Sequence, residues 1–367
     1  MAKSNAIVST IVELAPRFEP GATPELRAGE SRTLTLEGGR VAKLDPSDSR
    51  AAGFAEILST LQSRGLPVYL ELLPSTGAIS RLLIPHVTRV LRVQPLENGA
   101  LSVDLYYSSG RHVLRRDQES FAEYEALLRA AAESGQVLTI TEDDSHDIID
   151  VRPFVPGAVK PDLPFDEEKL EWPPGPIEIH PIWPPFPWLR GCISAERAQQ
   201  VFNAMSATSC NPIAVPPPCI PFLYPDDGCW GRAHEMCRLI IAMSLSPKKV
   251  WIQGQLTVKT RNNPNCQVQW GWHVAPTVCV RGPYFWQTQT MVIDPSLFTT
   301  PVTEATWKGV QGDPNATLTP SDASIFYLWG NETDPTYVKT NQVLATYRLA
   351  LKNRSLQVGP PPYANCP

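Results

Sequence analysis

One cysteine in this sequence lies where a nucleophile would be activated. Cys229 follows the acidic, glycine-containing turn Asp226-Asp-Gly228 and precedes a run whose apolar residues recur at helical spacing. Asp226 or Asp227 is a candidate N-cap, which places Cys229 in the first helical turn. The helix dipole and the unpaired backbone N–H groups there favour a thiolate, so the position suits thiol chemistry. The alternative is a small cysteine buried in the core.

A thiol nucleophile requires a general base. His234 lies five residues after Cys229 and points about 140° away on the same helix, so we expect a structural role for it. His273 lies in an alternating strand and is the better candidate. Its predicted face carries Gln267, Gln269 and Gly271, and the opposite face carries Val268, Trp270 and Trp272.

The base in turn requires a group that orients it, and Asp294 is the candidate. It closes the next apolar strand immediately before a proline, and a buried aspartate there needs a partner. The chain order is therefore a helix cysteine, a strand histidine and an aspartate on the next strand. Papain-like and transglutaminase-like cores have this order, with the start of a helix facing two adjacent antiparallel strands.

Three ordered motifs resemble those of the bacterial protein-glutaminase family. They are Cys219-Ile-Pro-Phe-Leu-Tyr-Pro-Asp-Asp-Gly-Cys-Trp-Gly-Arg-Ala-His-Glu-Met236, Trp270-Gly-Trp-His-Val-Ala275 and Ile293-Asp-Pro-Ser-Leu-Phe298. The resemblance covers about residues 193–351. It implies hydrolysis of the side-chain amide of glutamine in proteins and peptides, giving glutamate and ammonia. It also implies Cys229 as nucleophile, His273 as base and Asp294 as orienting carboxylate, and it places Cys210 and Cys219 on family cysteines.

The same resemblance implies a glutamine-containing protein or peptide as the partner, with no need for a metal or an organic cofactor. The backbone N–H of Cys229 is expected to contribute to an oxyanion hole. Trp230, Trp270 and Trp272 are candidates for lining the substrate groove, and the alternative is that they are core residues. Asp226 or Asp227 is a candidate for excluding free carboxylate substrates.

Other functions use the same triad. A cysteine protease or a transglutaminase-like acyl transferase would share the three residues and differ in the bond broken or in the acceptor. A deamidase toxin would combine the triad domain with a delivery domain. A non-enzyme or a latent form is the remaining alternative, in which the N-terminal domain contacts the catalytic domain and blocks the groove at Cys229.

Composition excludes some functions. The 367 residues carry a net charge of −5 and contain no basic run with interleaved aromatics, which argues against nucleic acid as a partner. No apolar stretch approaches the ~20 residues needed to cross a membrane. All eight cysteines lie from Cys192 onward, which favours an oxidising compartment and hence secretion, although the first residues do not resemble a signal peptide. With Cys229 free, at most three disulfides form. We expect a monomer.

The predicted fold class is α+β. Residues 191–367 are expected to form a papain/transglutaminase-like cysteine-hydrolase core, a helix packed on an antiparallel sheet. Residues 1–152 are expected to form a smaller α+β domain that is pro-region-like or targeting, and 153–190 a linker, because eleven of the 35 residues from Pro153 to Pro187 are proline.

The expected elements of the first domain are an irregular lead-in (1–30), a hairpin (33–44), helices at 49–64 and 120–133, and a strand at 82–93. Its histidines, His86, His112 and His146, show no metal-ligand spacing, and Glu142-Asp-Asp144 indicates a solvated turn. The second domain should contain a helix after Ser194, strands at 250–260, 266–280 and 285–293, and a last strand at 342–351.

Overall fold

The computed structural model describes residues 6–15, 32–165, 172, 174, 175, 177, 191–282, 284 and 287–367. The chain divides into two compact units. The first comprises Met1–Tyr106, His112–Leu163 and Lys352–Pro360, and the second comprises Tyr107–Arg111, Pro164–Leu351 and Pro361–Pro367. Five residues from the first part of the chain, Tyr107–Arg111, therefore belong to the second unit.

The first unit is a mixed α+β structure with antiparallel sheets. Its elements are β1 (Ala6–Ala15), β2 (Arg32–Leu36), β3 (Val41–Leu44), α1 (Ala51–Ser63), β4 (Pro67–Leu72), β5 (Ile79–Leu83), β6 (His86–Thr88), β7 (Val90–Pro95), β8 (Leu101–Leu105), β9 (His112–Leu114), α2 (Phe121–Ser134), β10 (Leu138–Glu142) and β11 (Ile148–Pro153). The sheet orders are β3-β2-β1-β4-β5, β11-β10-β6 and β7-β8-β9. One apolar core joins α2 to the last two sheets through Leu101, Val103, Leu128, Leu138 and Ile140.

The second unit is built on a five-stranded antiparallel sheet. Its elements are α3 (Ala195–Ser206), α4 (Cys229–Ala242), β12 (Lys248–Lys259), β13 (Gln267–Arg281), β14 (Thr288–Val292), β15 (Val302–Thr303), α5 (Glu304–Gly309), β16 (Thr317–Asp322), β17 (Ile325–Tyr327) and β18 (Glu332–Thr333). The sheet order is β15-β14-β13-β12-β16. The helices α3 and α4 pack on β13 through Phe202, Met236, Ile240 and Val278.

A last helix, α6 (Val338–Val358), belongs to the second unit up to Leu351 and to the first unit from Lys352 onward. The prediction of a strand at 342–351 is wrong. Val343, Leu344, Tyr347 and Leu351 are buried and recur at helical spacing, which a period-two interpretation of the same residues misses.

Two further predictions are wrong in part. The lead-in contains a ten-residue strand, β1, because Ile7, Ile11 and Leu14 are buried when it pairs with β2 and β4. The strand expected at 82–93 is divided among β5, β6 and β7, which lie in three different sheets. The hairpin of β2 and β3 and the helices α1, α2, α3 and α4 are confirmed.

Most of the proline-rich linker lies outside the described residues, including Trp183, Phe186 and Trp188. Within the described ranges, no helix combines the length and apolarity needed to span a membrane. Three disulfides, Cys192–Cys279, Cys210–Cys219 and Cys266–Cys366, lie in the second unit. Cys229 and Cys237 are free and buried, so the expected limit of three disulfides with Cys229 free is confirmed.

Candidate active site

The turn before α4 places Cys229 as the first residue of the helix, as its sequence predicts. The N-cap is Gly228, whereas the sequence favoured Asp226 or Asp227. Gly228 has φ +78°, and a Cβ there would lie 2.2 Å from Cδ2 of Tyr347. Only glycine fits a backbone position that is both left-handed and in contact with an aromatic ring.

Asp227 organises this turn from a buried position, with 2% of its surface exposed. Its Oδ1 accepts hydrogen bonds from the N–H of Gly228 (2.9 Å), the N–H of Ser109 (2.8 Å) and Oγ of Ser109 (2.9 Å). Its Oδ2 accepts from Oγ of Ser108 (2.6 Å) and the hydroxyl of Tyr347 (2.7 Å). Five donors offset the cost of burying this carboxylate.

The Cys229 thiol is almost fully buried, with 1% of the residue exposed. It makes hydrogen bonds with the backbone of Val274 and the side chain of Ser109. Burial raises the pKa of the Cys229 thiol to about 12, although the nearby Arg232 charge opposes the rise. The thiol is therefore neutral in this arrangement, and the expectation of a thiolate fails here because desolvation exceeds the helix-dipole effect.

His273 and Asp294 form the predicted pair. Nε2 of His273 lies 2.9 Å from Oδ2 of Asp294, and both residues are buried. Burial disfavours the Asp294 carboxylate, but His273 and the indole N–H of Trp307 stabilise it, so its pKa lies below the ordinary value. That indole donates to the same Oδ2 at 2.9 Å. Among the described residues, Nδ1 of His273 has no hydrogen-bond partner.

The imidazole is held between two indole rings. Trp270 stacks on it at 4.4 Å between ring centroids and 15° between planes, and Trp307 lies on it at 5.5 Å and 29°. The prediction that Trp270 and His273 lie on opposite strand faces is therefore wrong. The pairing of β12 with β13 shifts register between Gln253 and Leu256, where β12 carries one extra residue, and such a bulge increases the local twist.

Helix α4, which begins at Cys229, packs on strand β13, which carries His273. The sulfur of Cys229 contacts the backbone of Val274, and Val274 immediately follows His273. Because Nε2 of His273 is bonded to Asp294, the ring nitrogen left for a substrate or thiol proton is Nδ1. The three residues expected from the sequence thus lie in one buried region of the second unit.

Tyr107–Arg111 is a short segment that begins in a turn at Tyr107 and hydrogen-bonds to this region. The N–H of Arg111 donates to the carbonyl of Gln269 (3.1 Å), and the N–H of Gly271 donates to the carbonyl of Ser109 (2.9 Å). Gly110 and Trp270 form an antiparallel bridge. The segment therefore pairs with β13 just before His273, where β14 does not reach, because β14 pairs only with residues 277–281.

Side chains hold both ends of the 107–111 segment. The Arg111 guanidinium donates to Oε1 of Gln255 (2.7 Å) and Oε1 of Gln269 (2.6 Å). The ring of Tyr107 stacks on Trp230 at 6.0 Å and 11°, and its hydroxyl donates to the Glu332 carboxylate. The segment is therefore held at both ends and in the middle.

The four candidate substrate-binding residues are all buried. Trp230 and Trp272 contact the 107–111 segment, and the indole N–H of Trp272 donates to the carbonyl of Ser108 (3.1 Å). Trp270 donates to the backbone carbonyl of Asp226 (2.8 Å), and the Asp226 carboxylate accepts from Nδ2 of Asn263. Trp230 and Trp272 thus contact the 107–111 segment, whereas Trp270 and Asp226 support the turn and the imidazole.

His234 lies in a separate buried cluster. Its Nδ1 lies 2.9 Å from the Lys249 ammonium nitrogen. Burial, reinforced by the Lys249 charge, lowers the pKa of His234 to about 4, so the ring is neutral at physiological pH and accepts this hydrogen bond. Burial also lowers the pKa of Lys249 to about 8.

Sequence reasoning missed several residues of the site. The sequence indicates Asp227 only as a cap or a specificity residue, and it assigns no role in the site to Arg232, Trp307 or Tyr347. Arg232 places a buried positive charge near Cys229 and Asp294, and its Nη1 donates to the Tyr224 carbonyl (3.0 Å). Trp307 ends the run Pro301-Val-Thr-Glu-Ala-Thr-Trp307, which follows the third motif and also resembles the family, and that resemblance is its signal in the sequence.

A second group of titratable residues lies in the first unit. His86, His112 and His146 surround Glu142, although the sequence spacing of the three histidines suggested no common site. The prediction of a solvated Glu142 is wrong, since its side chain is 12% exposed. Burial disfavours this carboxylate, but the three histidines outweigh that effect and hold its pKa well below the ordinary value.

Comparison with known proteins agrees with the motifs. Residues 198–311 match the model of a glutamine-deamidase family described as Glutaminase. A crystal structure of pro-protein-glutaminase is similar at 24% identity and a TM-score of 0.51, covering 73% of this chain and 93% of that one. A mutant of pro-protein-glutaminase matches at 24% identity and a TM-score of 0.52, with 72% and 93% covered. No curated protein matches.

The likeness to pro-protein-glutaminase covers 73% of this chain. Residues 191–367 make up less than half of the chain, so the likeness extends into its first half. The likeness of fold is therefore wider than the motifs, which cover only about residues 193–351. The family match lies within the motif-bearing region and includes Cys229, His273 and Asp294. The C-terminal region of the chain is similar in sequence to the glutaminase family model, in agreement with its three motifs.

Proposed function

We propose that the chain is a protein-glutamine glutaminase. It would hydrolyse the side-chain amide of glutamine in a protein or peptide to glutamate and ammonia. The observation that carries the proposal is the buried His273–Asp294 pair, in which Nδ1 of His273 has no partner among the described residues and His273 immediately precedes Val274, whose backbone contacts the Cys229 thiol. The glutaminase family match over residues 198–311 supports the reaction.

In the first half of the reaction, Nδ1 of His273 takes the thiol proton and the Cys229 sulfur attacks the carboxamide carbon. The tetrahedral intermediate collapses to a thioester, and the imidazolium gives its proton to the departing nitrogen, which leaves as ammonia. In the second half, His273 deprotonates water, which attacks the thioester and releases glutamate and the thiol. Asp294 fixes the tautomer and stabilises the imidazolium throughout.

The start of α4 is suited to stabilise the oxyanion. The first intrahelical hydrogen bond runs from the N–H of Arg232 to the carbonyl of Gly228. The N–H groups of Cys229 and the next two residues lie ahead of that bond, at the positive end of the helix dipole. We assign the N–H of Cys229 to the oxyanion hole. Helix α4 against the antiparallel pair β13 and β14 is the arrangement expected of a papain-like core.

The chain as it stands is proposed to be latent. The 107–111 segment pairs with β13 and hydrogen-bonds to the turn before α4. In this proposal it keeps the Cys229 thiol buried and protonated. A substrate glutamine cannot reach Cys229 while the segment is in place. The similar structures are of a pro-protein, which supports a pro-region role for residues 1–152. Residues 153–190 would then be the linker and 191–367 the catalytic domain.

A cleavable form of the full chain tests the proposal. A specific protease site is introduced at Gly191, which is exposed, and ammonia release from a glutamine-containing peptide is measured before and after cleavage. We expect activity to rise on cleavage and to be lost in Cys229→Ala. The matched control is Cys237→Ala, the other free buried cysteine of α4, which should keep full activity.

Mass spectrometry of the peptide identifies the reaction. Conversion of an amide to an acid in an intact chain supports deamidation. Fragments would indicate a protease, and addition of a supplied amine would indicate acyl transfer. A cleaved protein without ammonia release, or a fully active Cys229→Ala variant, contradicts the proposal.

A further inference from the structure

Half of the six histidines in the chain meet at one carboxylate, far in sequence from the candidate active site. Nε2 of His86 lies 3.0 Å from Oε1 of Glu142, and Nδ1 of His146 lies 2.9 Å from the same oxygen. Nδ1 of His112 bonds to the other oxygen, Oε2. Three potential ligand atoms, one each from His86, His112 and Glu142, all lie within 4.8 Å of one another.

The rings are arranged around the carboxylate edge to face. The His86 and His112 rings meet at 72° with centroids 5.5 Å apart, and the His112 and His146 rings meet at 81° and 5.3 Å. Stacked rings would direct their nitrogens along parallel lines, whereas these nitrogens converge. His112 is fully buried, and the side chains of His146 and His86 are 6% and 19% exposed.

Rigid backbone holds each residue. His86 begins β6 and pairs with Ile140 of β10, the strand that Glu142 ends. His112 begins β9. His146 lies in the turn after β10 with φ +62°, and its carbonyl accepts from the N–H of Val113 at 2.9 Å. Three strands and a turn thus direct nitrogen and oxygen atoms to one point, which is the preorganisation a metal site requires.

We propose that His86, His112 and Glu142 bind a divalent first-row transition metal ion, with Zn²⁺ as the best fit. Two imidazole nitrogens and one carboxylate oxygen form a donor set that suits this ion and does not suit Mg²⁺ or Ca²⁺, which take oxygen ligands. His146, bonded to the carboxylate, would orient Glu142 as an outer partner of the ligand. The ion would join β6, β9 and β10 in the first unit.

The test is metal binding by the full, disulfide-bonded chain after treatment with a chelator. Isothermal titration with Zn²⁺ alone should show one ion per chain, and Co²⁺ should give the absorption of a site with nitrogen and oxygen ligands and no thiolate band. Glu142→Gln and His86→Gln should each weaken Zn²⁺ binding at least about tenfold. The matched control is Glu133→Gln, an exposed carboxylate of α2, which should bind as the parent does.

Cys229 and His273 are a competing place for zinc, so the titration is repeated in Cys229→Ala. Unchanged stoichiometry and affinity there support the histidine site. Loss of zinc in Cys229→Ala, or unchanged binding in both cluster variants, overturns the proposal. If a cluster variant fails to fold, the measurements on the parent protein are sufficient. A cobalt spectrum with a thiolate band, or the absence of stoichiometric binding, overturns the proposal.

Discussion

Removing the Ser108 and Ser109 hydroxyls should uncover Cys229. Both donate to the buried Asp227 carboxylate, at 2.6 and 2.9 Å. When the 107–111 segment leaves, water replaces these donors, so the double variant Ser108→Ala/Ser109→Ala weakens only the closed state. A hydrogen bond to a charged group contributes ~1.5–3 kcal/mol. The two share one acceptor and are not additive.

We therefore expect the pair to contribute about 3 kcal/mol, which corresponds to about a 100-fold increase in the open population. The assay is the rate of iodoacetamide labelling of Cys229, followed by peptide mass mapping, with Cys237 of the same helix as internal reference. The Ser109 hydroxyl also lowers the Cys229 pKa. Its removal alone would therefore slow labelling, so faster labelling has to come from opening.

Ammonia release by the uncut double variant should rise in parallel with labelling. The control is Ser134→Ala, an exposed serine at the end of α2. Unchanged labelling of Cys229 in a folded double variant would refute the reasoning, because it would show that the segment does not limit access to the thiol. Equal acceleration at Cys237 would also refute it, since that outcome reports general loosening of the helix.

Three further predictions concern single residues. Trp307→Phe keeps a ring on His273 but removes the hydrogen-bond donor to Asp294, so the activity of the opened enzyme should fall about tenfold. Because the Asp294 pKa rises, the acid limb of the pH–activity profile should move to higher pH. His234→Asn keeps an acceptor for Lys249 and does not titrate. Between pH 6.5 and 4 only the unfolded chain protonates His234, so the free energy of unfolding of the parent should fall by about 3 kcal/mol over this range. The variant should lose less, and urea unfolding measures both. Gly228→Ala should lower stability by more than the ~1–2 kcal/mol of a left-handed backbone alone.

Each of these has a distinct contrary outcome. An unshifted pH profile in Trp307→Phe would show that its indole does not act through Asp294. Equal acid sensitivity in His234→Asn would place the protonation elsewhere. For Gly228→Ala the comparison is Gly309→Ala in α5, where a Cβ meets nothing within 4 Å and φ is not positive. Equal melting temperatures for the two variants would contradict the steric argument.

Local patterns were sufficient for many elements of the fold. The helices α1, α2, α3 and α4 follow from apolar residues at helical spacing, and the β2–β3 hairpin follows from alternation around two glycines. Local patterns failed where burial depends on distant partners. The lead-in forms β1 only because β2 and β4 lie on either side of it, and α6 was mistaken for a strand because two periodicities fit the same apolar residues.

By itself, the sequence determined the identity and order of the chemical groups: a cysteine at a helix start, a strand histidine, a strand-end aspartate, and too few cysteines for more than three disulfides with Cys229 free. Those features depend on spacing along a single element. Only the tertiary structure decided the raised pKa of the Cys229 thiol, the pairing of Tyr107–Arg111 with β13 and the meeting of His86, His112 and Glu142. Desolvation and long-range pairing depend on which residues surround a group in space, and the spacing of residues along the chain does not specify those neighbours.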